Sequence, residues 1–213
     1  RLSGSYNYMQ PSLSFWDPLG NKTTPADSGA EGAERSQSVN LDDSWVINPR
    51  TVLDLRAGFL RFRDERIPAS MGTDLTQFGF PQSYADAVQW GVVPNMHVSG
   101  ISDVNASTGS TIYGIQNNYS FAGSLSLIRG THSMKIGAIY RVLQLNRTQS
   151  NNPSGDFSFN AGFTQADPLT SSLTSGVPFA SFLLGYPSSG SASIVARLAL
   201  ESKYGAWYFQ DDW

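Results

Sequence analysis

Between Phe121 and Arg141, apolar and polar residues alternate on both sides of Gly130-Thr131. A period of two is written by strands whose two faces meet different surroundings. Glycine in the first central position of a two-residue turn favours type II′, whose twist suits the flanking strands. With that turn, Leu127 faces Met134, Leu125 faces Ile136, Gly123 faces Ala138, Phe121 faces Tyr140 and Tyr119 faces Val142, all on one side. The other side pairs Ser126 with Lys135, Ser124 with Gly137, Ala122 with Ile139 and Ser120 with Arg141. One register thus separates an apolar face from a small, polar one.

A second hairpin is written upstream, in "SVNLDDSWVINPRTVLDLRAGFLRF". Taking Asn48, Pro49 and Arg50 as its turn places Val39, Leu41 and Trp45 on a face with Leu53, Leu55, Ala57 and Phe59. The opposite face carries Asn40, Asp42, Asp54, Arg56 and Gly58. Asp43 falls on the apolar face, which predicts a bulge or a headgroup-level position there. Single strands open the chain at "RLSGSYNYMQ" and close it at "SASIVARLALESKYGAWYFQDDW", the latter with an expected break near Glu201 and Ser202.

The strands of the Gly130 hairpin exceed the ~9–11 residues that cross a bilayer at a tilt, and far exceed the ordinary soluble strand. The connections alternate too. Tight turns at 48–50 and 130–131 fall at one end of the sheet, and long loops near 11–36, 64–110 and 148–190 at the other. Outer-membrane barrels have that asymmetry, and loops so long are rare in compact soluble domains. Within the loops, "GDFSFNAGF" predicts a short strand and "PFASFLLG" a short helix. The fold class expected is all-β: an antiparallel meander forming part of a transmembrane barrel wall, with short periplasmic turns and long extracellular loops. About six long strands are too few to close such a barrel, which needs at least eight. The expectation is a middle slice of wall, residues 1–213 forming one partial segment.

Composition agrees. Charged residues make up 15% of the 213 residues, well below the ~25% of soluble domains. A net charge of −3 without basic runs gives no reason to expect nucleic acid. With no cysteine, disulfides and thiolate metal sites are excluded. No apolar run reaches the ~18 residues of a membrane-spanning helix, so a membrane would be crossed by strands.

Three passages resemble one family. "LIRGTHSMKIGAIYR" is similar to a recurring hairpin of TonB-dependent receptors of the Oar-like group. "PFASFLLGYPSSG" followed by "KYGAWYFQDDW", and "INPRTVLDLRAGFLRF", resemble other passages of that group, in the family's order. The resemblance implies a large outer-membrane barrel around a plug domain, taking up a scarce ligand with energy delivered through a TonB box. The plug and TonB box would precede Arg1. The implied partners are outer-membrane lipid, the plug and remaining barrel, TonB and a small ligand.

Candidate chemistry is sparse. No metalloprotease, nucleophile-elbow or P-loop pattern occurs, and no catalytic residue, cofactor or metal is expected. His132 reads as a turn residue and His97 as a solvated loop histidine, with metal or ligand contact the sharper alternative. Asp42–Asp43 and Asp211–Asp212 are adjacent in strands, so each pair points to opposite faces and cannot converge on one atom. "DVNASTG" from Asp103 is a polar turn lacking the closing glutamate of a calcium loop. The sequons at Asn21, Asn105, Asn118 and Asn146 carry no weight in a bacterial outer membrane.

Trp45, Tyr119, Phe121, Tyr140, Trp207 and Trp213 are the candidate membrane-interface aromatics. Asp54, Arg56, Ser120, Lys135 and Arg141 are the candidate lumen-facing polar residues. Arg61, Arg63 and Arg66 could meet lipopolysaccharide phosphates or keep a strand end wet. Ligand capture is expected from "SFWDPLG", "FGFPQSYADAVQWGVVPNM" and "FNAGFTQADP". The competing class is a soluble or surface-attached β-sandwich binding glycans or a protein partner.

Overall fold

A computed structural model describes residues 1–13, 30–68, 70–101, 103, 111–167, 169–170, 172 and 174–213. Its backbone is one antiparallel meander, β1 (Leu2–Met9), β3 (Ala30–Asn48), β4 (Thr51–Pro68), β6 (Thr111–Arg129), β7 (His132–Ser150) and β10 (Leu198–Asp212), in the spatial order β1-β3-β4-β6-β7-β10. The short β2 (Ser12–Leu13) adds to β3. Strands β3, β6 and β7 each run 19 residues. The sheet does not close on itself, so it forms part of a wall.

The β6–β7 register is the one the alternation predicts, from Arg129↔His132 to Thr111↔Ser150 without a shift. Gly130 takes φ +64°, the left-handed value a primed turn asks of its first central residue. In the upstream hairpin Trp45↔Leu53, Leu41↔Ala57 and Val39↔Phe59 pair as expected. Its turn is shorter than expected. Asn48 pairs with Thr51, leaving Pro49 and Arg50 as the turn, and the register shift lies between Val46 and Asn48. Pro49 has no N–H for the ladder, and the Asn48 side chain accepts from the Arg50 amide at 2.9 Å. No bulge forms at Asp43, which stays in register opposite Leu55 and Leu2 on the apolar face.

The closing strand also differs. β10 is continuous through Glu201 and Ser202 and pairs with β7 from Leu198↔Arg147 onward, so the interruption falls before Leu198. A full β7 partner at every position leaves no reason for a break. β3, β4 and β7 all run further toward the loops than alternation alone indicated, reaching Ala30, Pro68 and Ser150.

The long loops fold into a small cap. β5 (Asn95–Val98) pairs in parallel with β8 (Asp156–Phe159), and β9 (Ser189–Ser191) is antiparallel to β8. Helices α1 (Gln82–Ala87) and α2 (Pro178–Leu183) flank this sheet, and the strand and helix expected from "GDFSFNAGF" and "PFASFLLG" are β8 and α2. Leu75, Val92, Val93, Val98 and Phe159 are buried there. The fully buried Ser154 holds two segments together. Its hydroxyl donates to the Trp90 carbonyl at 2.6 Å and accepts from the Val92 amide at 2.8 Å. The cap meets the wall where Trp90 packs on Tyr113, with ring centroids 5.6 Å apart, and Gln89 exchanges hydrogen bonds with the Val195 backbone in the segment leading into β10.

Candidate functional site: the two faces of the wall and the loop cap

Directly opposed residues share a face, so the registers sort the whole wall. One face carries Tyr6, Val39, Leu41, Trp45, Leu53, Leu55, Phe59, Leu127, Leu125, Phe121, Tyr119, Ile136, Tyr140, Val142, Trp207 and Phe209. Its large side chains are uncovered: Trp207 is 81% exposed and Phe209 61%. A sandwich would bury such a face against a second large sheet. Among the described residues no second large sheet covers it, and an apolar solvent would remove the cost of leaving such side chains uncovered. Along β6 this face runs from Leu127 to Tyr119, about 26 Å of strand, which suits a hydrocarbon layer crossed at a tilt.

Asp54, Arg56, Ser120, Lys135 and Arg141 all lie on the opposite face. Arg56 Nε stands 3.3 Å from an Asp42 oxygen, and the Ser44 hydroxyl donates to Asp54. Asn7 donates to Ser38 at 3.3 Å and Asn40 to Ser5 at 3.4 Å, one strand pair along. The residues on this face are small or polar. A Cβ on Gly137 would lie 2.6 Å from Tyr208 Cζ, so any side chain there must displace the Tyr208 ring.

Beyond the row Val39–Phe59–Tyr119–Val142, toward the loops, the faces exchange character. The formerly apolar side now carries Arg61, Arg63, Asn117, Gln144 and Glu201, with Asn117 donating to Gln144 at 3.4 Å and Gln144 to Glu201 at 3.0 Å. The other side turns apolar, with Leu60, Phe62, Leu143, Leu145 and Leu200. Arg61 and Arg63 therefore belong to the first face, whereas Arg66 lies on the second, 3.5 Å from Asp64 and 3.9 Å from Glu34.

Of the candidate interface aromatics, Trp45 lies near the turn end of β3, and Tyr119 packs on Phe59 at 5.0 Å between ring centroids, at the loop-side border of the apolar band. Phe121, Tyr140 and Trp207 fall inside the band, Phe121 opposite Tyr140 and Trp207 opposite Ala138. Trp213 follows the end of β10 and is 96% exposed.

In the cap, an open pocket of about 700 Å³ is lined by Phe80, Met96, Phe157, Phe159 and Phe182 among others. Phe80 stacks on Tyr84 at 5.0 Å and tilts against Phe157 at 5.4 Å, while Phe159 meets Phe182 edge-on at 5.2 Å. Two of the three expected capture loops, "FGFPQSYADAVQWGVVPNM" and "FNAGFTQADP", supply Phe80, Met96 and Phe159 to it. "SFWDPLG" lies outside the described residues. Phe157 and Phe182 were not singled out in the sequence; the apolar spacing of "PFASFLLG" was the available signal.

His97 is a strand residue of β5, not a loose loop histidine. Its Nδ1 lies 2.9 Å from Asp103 and its Nε2 3.2 Å from Asp156. Burial pulls its pKa down, but the hydrogen bonds and charges of the two carboxylates outweigh that, and the pKa is raised. Among the described residues no cluster has the makings of a metal site. Apart from Asp103, the stretch "DVNASTG" lies outside the described residues, as do Asn21 and Asn105. Nor is His132 an idle turn residue: it opens β7 and contacts Asp211 of β10 at 2.9 Å. Asp42 and Asp43 diverge as expected, Asp42 toward Arg56 and Asp43 to the other face.

A family model for an outer membrane beta barrel domain matches residues 1–213. The chain belongs to that family: it is an outer-membrane β-barrel protein, its apolar face toward lipid, its tight turns periplasmic and its long loops extracellular. Comparison with curated proteins and with solved structures gives no match.

Proposed function

We propose that the chain is barrel wall from a TonB-dependent receptor of the Oar-like group, which takes up a scarce ligand across the outer membrane. The observation that carries this reading is the aromatic pocket assembled by two extracellular loops. Its volume lies in the usual range for small-ligand sites, and its walls are apolar, as such sites generally are. The cap catches ligand from outside. The polar inner face around Asp54, Arg56, Ser120, Lys135 and Arg141 flanks the route inward. A plug domain inside the barrel gates the passage, and TonB supplies the energy. The resemblance of the β6–β7 hairpin, of the α2–β9 passage and of β10 to that group's motifs supports the same assignment.

On this reading the segment is no enzyme. His97 is a tie between β5, β8 and Asp103, and the acidic pairs diverge, so neither offers a convergent acid–base couple. The test uses the full-length protein, titrated with the isolated periplasmic domain of TonB. Saturable binding is expected. A full-length protein that does not bind this domain would be a barrel of another kind.

A further inference from the structure

We propose that Arg35, Arg61 and Arg63 form a binding site, on the lipid-facing side of the wall, for the phosphate of an anionic lipid of the outer leaflet. This rests on membership of the outer-membrane family and not on TonB-dependent uptake. Arg35 directly opposes Arg63 across β3 and β4, and Arg61 follows on the same face opposite Gln37. Opposed Cβ atoms stand ~5 Å apart, and same-face neighbours along a strand about 7 Å apart. Three guanidinium-bearing positions therefore crowd one small area.

Like charges directly opposed destabilise a sheet unless an anion lies between them. One anion is present: Glu65 binds Arg63. Among the described residues neither Arg35 nor Arg61 has an ion pair, so two of the three guanidinium groups have no carboxylate partner there. The Nε atoms of Arg61 and Arg63 are buried without a hydrogen-bond partner, a cost that an incoming oxygen acceptor would remove. The neighbouring carboxylates Glu34 and Asp64 point to the other face, where they hold Arg66.

Position selects the ligand. The cluster begins directly beyond the row Val39–Phe59–Tyr119–Val142, the last of the apolar band on the extracellular side. A lipid lying against that band sets its headgroup at the level of the arginines. Guanidinium forks match phosphate oxygens in charge and in planar, bidentate geometry.

The test compares full-length protein in detergent with Arg35→Gln/Arg61→Gln/Arg63→Gln and with Arg61→Gln alone, folded material being selected by heat-modifiable migration. Binding of bis-phosphorylated lipid A, dephosphorylated lipid A and inorganic phosphate is measured by native mass spectrometry. Phosphorylated lipid A should bind the triple variant at least about tenfold more weakly, a loss worth one charge-assisted hydrogen bond or more. Dephosphorylated lipid A should not distinguish the proteins, and Arg56→Gln on the opposite face should bind like the parent. If the triple variant does not fold, Arg61→Gln alone should weaken binding measurably and Arg61→Lys should restore part of it. Equal binding of the two lipid A forms, or unchanged binding by the folded variants, would overturn the proposal. So would inorganic phosphate competing fully at equal concentration, which would mark a plain anion site.

Discussion

Replacing Phe121 with arginine puts a charge on the lipid-facing side of β6, where Phe121 sits between Ala57 and Tyr140. Leu127 is the first apolar residue of that face above the turn. A rise of ~3.4 Å per residue sets Phe121 about 20 Å along the strand from Leu127, or about 15 Å in depth at a tilt of ~40°. The band from Leu127 to Tyr119 is about 20 Å deep at that tilt, so Phe121 lies about 5 Å from its extracellular border. Arginine costs about 2–4 kcal/mol at the midplane of a barrel's lipid face and about 0–1 kcal/mol near the interface, so Phe121→Arg should destabilise by about 1–2 kcal/mol. Ser124→Arg is the control. Ser124 lies on the opposite face between Asp54 and Gly137, beside an open hollow, and the new guanidinium finds the Asp54 carboxylate. Its cost should stay within about 0.5 kcal/mol, as for ordinary exposed substitutions. Urea unfolding of the full-length protein in liposomes, followed by heat-modifiable migration, reads both. Equal losses, or a larger loss for Ser124→Arg, would refute the assignment of faces.

Three other outcomes follow from the geometry. Ser154→Ala leaves the Val92 amide without its acceptor in a buried site and should destabilise the cap by about 1–3 kcal/mol; hydrogen exchange should quicken around Val92 and Val93 while the unfolding midpoint of the barrel stays put. Gly137→Val drives a side chain into Tyr208 and should cost about 1–3 kcal/mol, and Tyr208→Ala in the same chain should recover most of it, as a double-mutant cycle would register. The raised pKa of His97 makes its tie strongest when protonated. The contribution is full below the ordinary histidine value of about 6.5 and is lost as pH rises through the raised value, so protection of β5 and β8 should fall across that window once intrinsic exchange is corrected. His97→Gln should flatten the profile; a parent profile already flat, or rising with pH, would show that the tie contributes nothing.

The β6–β7 hairpin was legible because two independent signals agree there. The glycine of the turn fixes the register, and strict alternation then assigns both faces. At Pro49 alternation fixed the strand pairing, but the chemistry of the turn itself decided between two and three residues. Asn48 could belong to strand or turn, and its side-chain acceptor for Arg50 settled it. The cap was legible only in part: β8 and α2 were written in "GDFSFNAGF" and "PFASFLLG", but the buried Ser154 is tied to Val92 and Trp90, 62 and 64 residues earlier, and no period marks it. His97 shows the same limit, since Asp156 lies 59 residues further on. The exchange of character beyond Tyr119 was written in the sequence, with Leu60 and Phe62 alternating with Arg61 and Arg63. Only the registers show that these neighbours stand on faces whose roles have been swapped.

The most direct measurement of the central claim is a single-cysteine scan from Tyr119 through Ser126 in the full-length protein, freed of any other cysteine and reconstituted in liposomes. The chain itself contains none, so each introduced thiol reports alone. Spin labels at positions 119, 121, 123 and 125 should be relaxed by oxygen dissolved in lipid, and those at 120, 122, 124 and 126 by a water-soluble nickel complex. That period of two, with the odd positions in lipid, is the result the account predicts. A flat profile, or one with the even positions in lipid, would contradict it.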